Sequence, residues 1–521
     1  MYDLVIKGGK VLDGAGNPWF KADVAVAKGR IMEVGDLGTD ADRIIGAEGL
    51  VVAPGFIDTH SHSDLMLIAE PDARQKIMQG ITTEVVGQDG LGEAPIREEL
   101  VEDWRRYLSG LNGDPDIEWG WRSFSEYLDA LEKVMPATNV AALVGHGNLR
   151  LLAMGMENRS PTSSELEEME KILSSSMREG ACGMSTGLIY PPCVYADAGE
   201  LTELCSVVAG QGGVFVVHMR NEGDRLFESI EEVIAIGRES GVPVQISHFK
   251  ASGERNWGKV IEALGLLEKA RKSGVDMTVD QYPYVAGSTF LSSLLPVWTH
   301  EGGTLRMLDR LKDKEIRRRL SEEMEEAGRG RDWGWGNVIV TSVKTEVNKL
   351  FEGKNLEQIG EERQQDPLEA LFDLVLEEEN AATMVSFSMS EDDVRTVMRS
   401  PLQMVCTDGI VLGRPHPRVY GSFPRVLGRY VRQGVLRLEE AVRKMTSLPA
   451  QRFGLLDRGL IKPGMSADIT VFDPETVMDT ATYEDPIRFP KGIEYVIVNG
   501  EVTVERGEHT GCRNGKILRH L

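Results

Sequence analysis

Short apolar segments that end in a histidine or an aspartate recur along this chain, and they constrain its fold more than any other feature. His60 and His62 follow one such segment, His218 and His248 each end another, and Asp408 closes a fourth. Strand-like and helical stretches alternate between them. In a (β/α)8 barrel the carboxyl ends of all strands meet at one face, so residues far apart in sequence share one site. The pattern therefore predicts an α/β fold, a TIM-like barrel with a metal site at its mouth.

The spacing of His60 and His62 places both imidazoles on one side of the chain. Side chains of an extended segment alternate between two faces with a period of two residues, so this pair can reach one ion. Imidazole nitrogen and carboxylate oxygen suit zinc or a similar borderline metal. Two unrelated surface histidines are the alternative interpretation, and the histidines that end the other strand-like segments argue against it.

The strand candidates outnumber the strands of one barrel. They alternate with helical stretches, as a parallel sheet requires. Eight of them lie near residues 51–57, 83–88, 139–145, 182–187, 214–218, 244–248, 276–281 and 403–408. Two further runs, at 337–341 and 384–387, raise the number to ten, and the sequence leaves open which of them form the barrel.

Both ends of the chain are rich in short strands broken by turns. Residues 1–53 and 456–521 share this character, and Asn499-Gly500 is a hairpin signal because it tolerates the positive φ of a type I′ turn. Packing the two ends together would cover the exposed edges of either half. We therefore expect a small β-sandwich domain formed from both chain termini, with the barrel occupying residues 54–455.

One stretch of the predicted barrel, from about 291 to 362, is too long for an ordinary connection between a strand and a helix. It contains a densely charged helical pattern at 308–326 and a cluster of glycine and tryptophan at 328–336. We expect an insertion above the active-site face. It could act as a lid that excludes water, or it could be a plain surface insertion.

Composition narrows the range of partners. The formal net charge is −24, with 82 acidic and 58 basic residues, which argues against nucleic acid or an anionic membrane as partner. No apolar run is long enough to span a bilayer, and residues 1–7 lack the features of a signal peptide. The five cysteines include no C-x-x-C pair. A cytoplasmic location is the expectation, and the oligomeric state is left open.

A resemblance to a known family rests on a series of short motifs in a fixed order. They are Pro54-Gly55-Phe56-Ile57-Asp58-Thr59-His60-Ser61-His62, Val144-Gly145-His146-Gly147-Asn148-Leu149-Arg150, Ser185-Thr186-Gly187-Leu188-Ile189-Tyr190-Pro191-Pro192, Val217-His218-Met219-Arg220-Asn221-Glu222, Ile246-Ser247-His248-Phe249-Lys250, Asp280-Gln281-Tyr282-Pro283-Tyr284, Thr407-Asp408-Gly409 and His416-Pro417-Arg418. The chain is identified from them as resembling the amidohydrolase superfamily and, within it, the N-acyl-D-amino-acid deacylases (D-aminoacylases). The resemblance implies the barrel with its small β domain.

The resemblance also implies a set of metal ligands. His60 and His62 would hold one metal position, His218 and His248 the other, and Asp408 would be the catalytic acid and base. Asp89 stands where the family usually has a ligating cysteine. A carboxylate can bridge two ions and is a harder ligand than thiolate, so one or two ions are possible, with manganese or cobalt as alternatives to zinc. Asp89 could instead cap a turn before Gly90.

Candidate substrate-binding residues are indicated both by residue type and by the family resemblance. A substrate carboxylate needs a cation, and the candidates by residue type are Lys250, Arg418 and Arg220. The resemblance implies that Lys250, Arg418, Tyr190, Tyr282 and Ser288 line the pocket. A structural ion pair is the alternative for each of the three basic residues.

The reaction implied by the resemblance is hydrolysis of N-acyl-D-amino acids, small-molecule substrates, to a carboxylic acid and a free D-amino acid. A cyclic-amide hydrolase of the hydantoinase or dihydroorotase kind is an alternative. Such enzymes usually carry a carbamylated lysine that bridges two metals, and the segment 183–187 contains no lysine. The remaining alternative is a barrel that binds metal without catalysis, although all the expected ligands are present.

Overall fold

The computed structural model describes residues 1–38, 40–326 and 334–520 of the 521-residue chain. Most of the glycine and tryptophan cluster noted at 328–336 lies outside these described residues. Within the described ranges, every helix falls short of the length and apolar character that a bilayer crossing requires.

The strands are numbered in chain order. They are β1 (Tyr2–Val11), β2 (Phe20–Ala27), β3 (Arg30–Gly35), β4 (Ala41–Gly46), β5 (Val51–Pro54), β6 (Phe56–Asp58), β7 (Ile81–Val86), β8 (Asn139–Ala142), β9 (Val144–Gly145), β10 (Gly183–Gly187), β11 (Val214–His218), β12 (Val244–Ile246), β13 (Met277–Gln281), β14 (Ala286–Phe290), β15 (Val338–Ser342), β16 (Thr383–Phe387), β17 (Gln403–Val405), β18 (Ile469–Phe472), β19 (Ile493–Val498), β20 (Glu501–Glu505) and β21 (Glu508–His509).

Helices fill most of the connections. The α-helices span Asp64–Ala69, Arg74–Ile77, Val101–Asn112, Phe124–Val134, His146–Met154, Ser163–Arg178, Ala198–Gly210, Leu226–Ser240, Val260–Lys272, Thr304–Lys312, Lys314–Glu326, Leu356–Arg363, Pro367–Glu377, Glu391–Arg399, Arg418–Arg425, Leu438–Met445 and Ser447–Arg452. A π-helical turn, Val426–Val431, continues the helix Arg418–Arg425. Short 3₁₀ turns occupy Glu98–Leu100, Cys193–Tyr195, Glu254–Asn256, Leu291–Leu294, Val297–His300, Trp335–Asn337 and Glu346–Phe351.

Parallel strands form a closed ring in the described part of the chain. One sheet runs β6-β7-β8 and another runs β9-β10-β11-β12-β13-β17, all in parallel. Strands β8 and β9 are one extended segment interrupted only at Leu143. The ring closes where Ser61 bridges Gly409 in parallel and the Asp408 amide donates a hydrogen bond to the His60 carbonyl at 2.9 Å. Counted in this way, the ring has eight strands.

The two surplus strand candidates belong to a different sheet. Residues 337–341 and 384–387 fall in β15 and β16, which pair antiparallel with each other, and β16 also pairs antiparallel with β14. This three-stranded sheet lies in the excursion between β13 and β17. Because β14 starts at Ala286 and β16 ends at Phe387, the excursion is wider than the predicted 291–362. The strand pairing that widens it joins segments almost 100 residues apart, which a local pattern does not reveal.

Both ends of the chain contribute to one nine-stranded sheet. Strands β1 to β5 combine with β18 to β21, and the junction is the antiparallel pairing of β5 with β18, in which Val52 lies opposite Val471. The Asn499 side chain donates to Asn139 of β8 at 2.7 Å, which fastens this sheet to the barrel. The predicted domain boundaries at residues 53 and 455 remain a prediction.

The helices cover the ring through one apolar face each, as Leu226–Ser240 illustrates. Its buried residues include Leu226, Ile230, Val233 and Gly237, a spacing of three and four residues that makes one stripe along a helix. Gly237 is needed at the crossing, because a Cβ there would lie 2.9 Å from the Val244 side chain of β12. Such stripes join the main hydrophobic core around the barrel.

A buried ion-pair network lies beneath the junction of the first and last barrel strands. The Lys76 ammonium, fully buried, donates to Asp58 at 2.6 Å, Ser61 at 2.8 Å and Thr407 at 2.7 Å, and it lies 3.5 Å from Glu84. Burial opposes the charge, but the two carboxylates outweigh it and raise the pKa of Lys76. The ammonium is therefore ionised and compensated at neutral pH.

Removing this ammonium should strongly destabilise the protein. In Lys76→Met, Asp58 and Glu84 would remain buried without their cation, and breaking a buried pair in this way costs about 3–5 kcal/mol. We expect the free energy of unfolding, measured by urea titration followed by circular dichroism, to fall by that amount. Lys312→Met is the control, since Lys312 is mostly exposed and its pair with Asp309 contributes about 0–1 kcal/mol. Equal effects of the two substitutions would contradict the role of the network.

Candidate metal centre

Six ionisable side chains converge at the carboxyl ends of the barrel strands. His60 and His62 follow β6, Asp89 follows β7, His218 ends β11, His248 follows β12 and Asp408 follows β17. Each of them is at most 6% exposed. The structure thus brings together all five predicted metal ligands and the predicted catalytic aspartate.

The Asp89 carboxylate lies between two pairs of histidines. Its Oδ1 is 3.7 Å from His60 Nε2, 3.9 Å from His218 Nδ1 and 3.8 Å from His248 Nε2, and its Oδ2 is 3.6 Å from His62 Nε2. The two nitrogens of His60 and His62 are themselves only 3.3 Å apart. The Asp89 carboxylate is therefore close enough to all four imidazoles to bind a metal ion together with any of them.

The donor atoms of this cluster fit a divalent cation. In the described part of the chain, Asp89 Oδ1 and both ring nitrogens of His218 have no hydrogen-bond partner although they are buried. Unpaired buried polar atoms are costly and need an explanation. Three groups of ligand atoms lie within 4.8 Å of one another: His60 with Asp89 and His248, His60 with His62 and Asp408, and His218 with Glu222 and His248. Imidazole and carboxylate are ligands that zinc and its neighbours accept.

Three of these residues adopt a strained backbone conformation. Asp89, His248 and Asp408 have φ values of 57°, 35° and 48°, in the left-handed region that residues with a Cβ rarely occupy. Each stands just beyond the end of a barrel strand. Local strain of this kind persists at functional sites because the surrounding structure holds it in place.

Asp280, at the end of β13, is one of the groups that hold this geometry. Its carboxylate accepts hydrogen bonds from the His248 amide at 2.6 Å and the Thr59 hydroxyl at 3.0 Å, and a further one from the Gln245 side chain. It thus links the backbone of one metal-site histidine to the segment that carries His60.

The histidines differ in their protonation. Burial lowers the pKa of His218 to about 4, so this ring is neutral at neutral pH, the form that binds a metal. Burial and Lys250 act against the charged form of His248, but Glu222 and Asp89 outweigh them and raise its pKa to about 10. A cation that binds His248 at Nε2 must therefore displace a proton.

Arg418 lies behind Asp408. It is fully buried; its Nη1 is 2.8 Å from Asp408 Oδ2 and its Nη2 donates to the Ser288 carbonyl at 3.0 Å. The guanidinium also stacks 4.4 Å from the Tyr282 ring centroid. Burial alone would raise the pKa of Asp408, but Arg418 and His60 hold it well below its ordinary value.

A cavity of about 670 Å³ opens over the cluster. Lys250, Tyr190, Tyr282, Ser288 and Arg220, five of the six predicted substrate residues, contribute to its lining. The exception is Arg418, which is paired with Asp408.

Two of the basic residues predicted to bind the substrate carboxylate form ion pairs with carboxylates of the protein itself. Arg220 donates to Glu232 at 2.9 Å and to the carbonyls of Val194 and Ala196, so it forms the structural ion pair named as its alternative. Lys250 Nζ lies 2.5 Å from Glu222 Oε1 and 2.8 Å from His248 Nδ1.

Glu222 is a site residue that the sequence reasoning missed. Its Oε1 is 3.0 Å from His248 Nδ1, and its Oε2 is 3.7 Å from His218 Nε2. The available signal was its position four residues after His218 in Val217-His218-Met219-Arg220-Asn221-Glu222. That spacing carries no information unless the backbone after β11 is known to turn back over the site.

The chain is similar over its whole length to known proteins. N-acyl-D-glutamate deacylase of Alcaligenes xylosoxydans xylosoxydans is 40% identical over 520 residues, which cover 99% of this chain and 96% of that protein. D-aminoacylase of the same organism is 37% identical, covering 99% and 97%. N-acyl-D-glutamate deacylase from Bordetella bronchiseptica, solved with zinc and a phosphonate inhibitor that mimics the tetrahedral intermediate, superposes with a TM-score of 0.86 at 37% identity and covers 99% of both chains.

These similarities confirm the predicted fold class, an α/β barrel with a small β domain, because the relatives match over the whole length. The Amidohydrolase family matches residues 43–504, which include the barrel strands, the metal cluster and part of the terminal sheet. On this evidence the chain belongs to the amidohydrolase family.

Proposed function

We propose that this protein hydrolyses the amide bond of N-acyl-D-amino acids, releasing a carboxylic acid and a free D-amino acid. The observation that carries the proposal is the convergence of four histidines with Asp89 and Asp408 beneath one cavity. The full-length similarity to relatives named for N-acyl-D-amino-acid hydrolysis supports the choice of substrate.

The residues that would hold metal are the four histidines and Asp89 of this cluster, and among them His218 and Asp89 have buried atoms without a hydrogen-bond partner in the ranges that the structure describes. His60, His62, Asp89, His218 and His248 would bind one or two divalent ions, zinc in the first place, with manganese or cobalt as alternatives. Such an ion supplies a water whose pKa falls from about 15.7 to about 7 and a positive charge that polarises the substrate carbonyl. Asp89 Oδ1 approaches His60 of one pair and both histidines of the other, so this side chain could serve both pairs.

Asp408 is the proposed general acid and base. Its Oδ1 lies 3.2 Å from His62 Nε2 and 3.6 Å from His60 Nε2, while Oδ2 is held by Arg418. Fixing one oxygen leaves the other directed into the site, where it can accept a proton from the attacking water. The same oxygen would then deliver that proton to the nitrogen of the leaving amine.

Lys250 is the proposed partner of the substrate α-carboxylate. Its ammonium lines the cavity, and its hydrogen bond to Glu222 fixes its position. Tyr190, Tyr282 and Ser288 would shape the surrounding wall. Arg418 would contribute chiefly by orienting Asp408, and Arg220 by holding the loop that follows β11 through its pair with Glu232.

Amine release from matched pairs of N-acetyl-D- and N-acetyl-L-amino acids tests the reaction and its handedness. With zinc, cobalt or manganese supplied, we expect turnover of D-substrates and none of the L-enantiomers above background. Turnover of cyclic amides in the absence of D-substrate hydrolysis would instead identify a cyclic-amide hydrolase. A protein that binds metal but turns over neither class would be the non-catalytic barrel.

Replacing the proposed acid and base should abolish turnover without removing metal. In Asp408→Asn the side chain keeps its shape but neither accepts nor delivers the proton, so kcat should fall by about 10²–10⁴-fold. Metal content, measured by atomic emission, should stay at the wild-type level. Asp485→Asn, at an exposed carboxylate, is the control and should leave kcat unaltered. Near-normal turnover of Asp408→Asn would show that another group transfers the proton.

Asp89 can be tested through metal content alone. Asp89→Ala removes the carboxylate shared by the histidines, so the number of ions retained per chain after dialysis should drop. Asp89→Cys is the matched comparison, because thiolate is also a zinc ligand, and it should retain zinc while losing preference for manganese. If Asp89→Ala retains as much metal as the wild type, Asp89 merely forms the turn before Gly90.

A further inference from the structure

The basic side chains around the cavity are nearly all committed to carboxylates of the protein itself. Deep in the cavity, Lys250 is bound by Glu222 and Arg220 by Glu232. Arg418, behind Asp408, is bound by that carboxylate and has no exposed surface. A substrate α-carboxylate can share Lys250, but a second carboxylate on the same substrate would find these guanidinium groups already engaged.

The two other arginines of the cavity lining stand at the rim. Arg255 is about half exposed and pairs with Asp224, which is itself half exposed. Arg225 is exposed where the helix Leu226–Ser240 begins. Rim charges act through water and are screened by salt, so they discriminate weakly between substrates.

One wall of the cavity, by contrast, is apolar from the metal cluster outward. Tyr190 packs edge-on against His218, with ring centroids 5.3 Å apart, and against Phe290 at 5.8 Å. The Tyr190 hydroxyl is bound to Thr289 at 2.8 Å, so the ring presents carbon to the cavity. Leu188 and Leu295, both buried, are further apolar residues of the cavity lining.

The wall is fixed in position relative to the metal cluster. The Leu188 amide donates to the His218 carbonyl at 2.9 Å, and the Tyr190 amide donates to Gly187 at 2.8 Å. Ile189, between them, also lines the cavity and is only partly buried. A substrate whose amide lies at the metal cluster therefore meets hydrocarbon within one side-chain length.

From this distribution we infer that the amino acids released by this enzyme carry an uncharged, apolar side chain of the size of leucine, methionine or phenylalanine. The inference rests on the proposed function and narrows it. It separates this chain from its relatives named for N-acyl-D-glutamate, to which it is 37–40% identical. Apolar side chains gain by leaving water for this wall, whereas a buried carboxylate without a partner loses its hydration.

The first test is a comparison of kcat/KM for N-acetyl-D-methionine, N-acetyl-D-leucine, N-acetyl-D-glutamine and N-acetyl-D-glutamate with the metal-loaded wild type. Methionine and glutamate have similar length, and glutamine differs from glutamate only in charge. We expect methionine and leucine to exceed glutamate by about 100-fold or more, with glutamine between them. A value for glutamate equal to or above that for methionine would overturn the inference and leave the proposed function standing. Absence of turnover for every D-substrate would overturn both.

The second test uses a substitution in the apolar wall to change the preference for the side chain of the substrate. Ile189→Lys places a cation on the apolar wall at a partly buried position that can accommodate it, and Ile189→Met is the matched control of similar size. We expect the ratio of kcat/KM for glutamate to that for methionine to rise at least tenfold in Ile189→Lys and to stay at the wild-type ratio in Ile189→Met. A thermal melt of both variants checks that they fold, and an unaltered ratio in folded Ile189→Lys would count against this wall as the side-chain site.

A third variant tests whether the basic residues at the rim of the cavity, rather than its interior, determine the substrate preference. If glutamate is accepted through the rim, Arg225→Ala should lower its kcat/KM severalfold while methionine is unaffected. Under the inference drawn here, Arg225→Ala leaves the ratio of glutamate to methionine as it is in the wild type.

Discussion

The closure of the barrel depends on a buried ion pair between Lys76 and Asp58. Asp58 ends the first barrel strand, and its Oδ1 accepts a hydrogen bond at 2.8 Å from the amide of Thr407, just beyond the last strand, while its Oδ2 binds Lys76. The hydrogen bond from the Asp408 amide to the His60 carbonyl follows directly above. His60 and Asp408, which would share the hydrolytic chemistry, are thus neighbours because the Lys76–Asp58 ion pair joins the first and last strands beneath them. Elsewhere in the ring, adjacent strands are joined by ordinary sheet hydrogen bonds.

A carboxylate at position 89 changes the balance of charge at the centre. Its oxygens face four imidazoles at 3.6–3.9 Å. Among the described residues, Asp89, Asp408 and Glu222 bring three carboxylates to a region whose fixed cations are Lys250 and Arg418. Glu222 and Asp408 are each paired with one of those cations, which leaves Asp89 as the carboxylate that a metal would neutralise. The burial of this set is tolerable only if positive charge is supplied, either by protons on histidine or by a bound ion.

Much of the fold followed from local pattern. The strand-end positions of His60, His218, His248 and Asp408 were readable because a strand that ends in a polar residue leaves a recognisable apolar run. The runs at 337–341 and 384–387 were indistinguishable from barrel strands, since a short apolar segment looks alike in parallel and antiparallel sheets.

The sequence indicates the arrangement of the site less completely than it indicates the strands. The position of Arg418 behind Asp408, and of Glu222 between two histidines and Lys250, depends on how loops return over the barrel mouth, which no residue spacing encodes. Asp89 could be identified as unusual only by comparison with the family pattern. The roles of these residues remain proposals that metal content and turnover will decide.

The pairing of β5 with β18 has a consequence for biosynthesis. Val52 finds its partner Val471 only after more than 400 intervening residues have left the ribosome, so β1 to β5 emerge with the edge of the four-residue strand β5 open. Sequence-distant strand pairing of this kind is slow, and unpaired strand edges invite association with other chains. The first barrel strand, β6, starts two residues after β5 ends, so it emerges beside that open edge. Expression at low temperature, which slows synthesis and aggregation alike, should therefore favour recovery of folded protein over faster production.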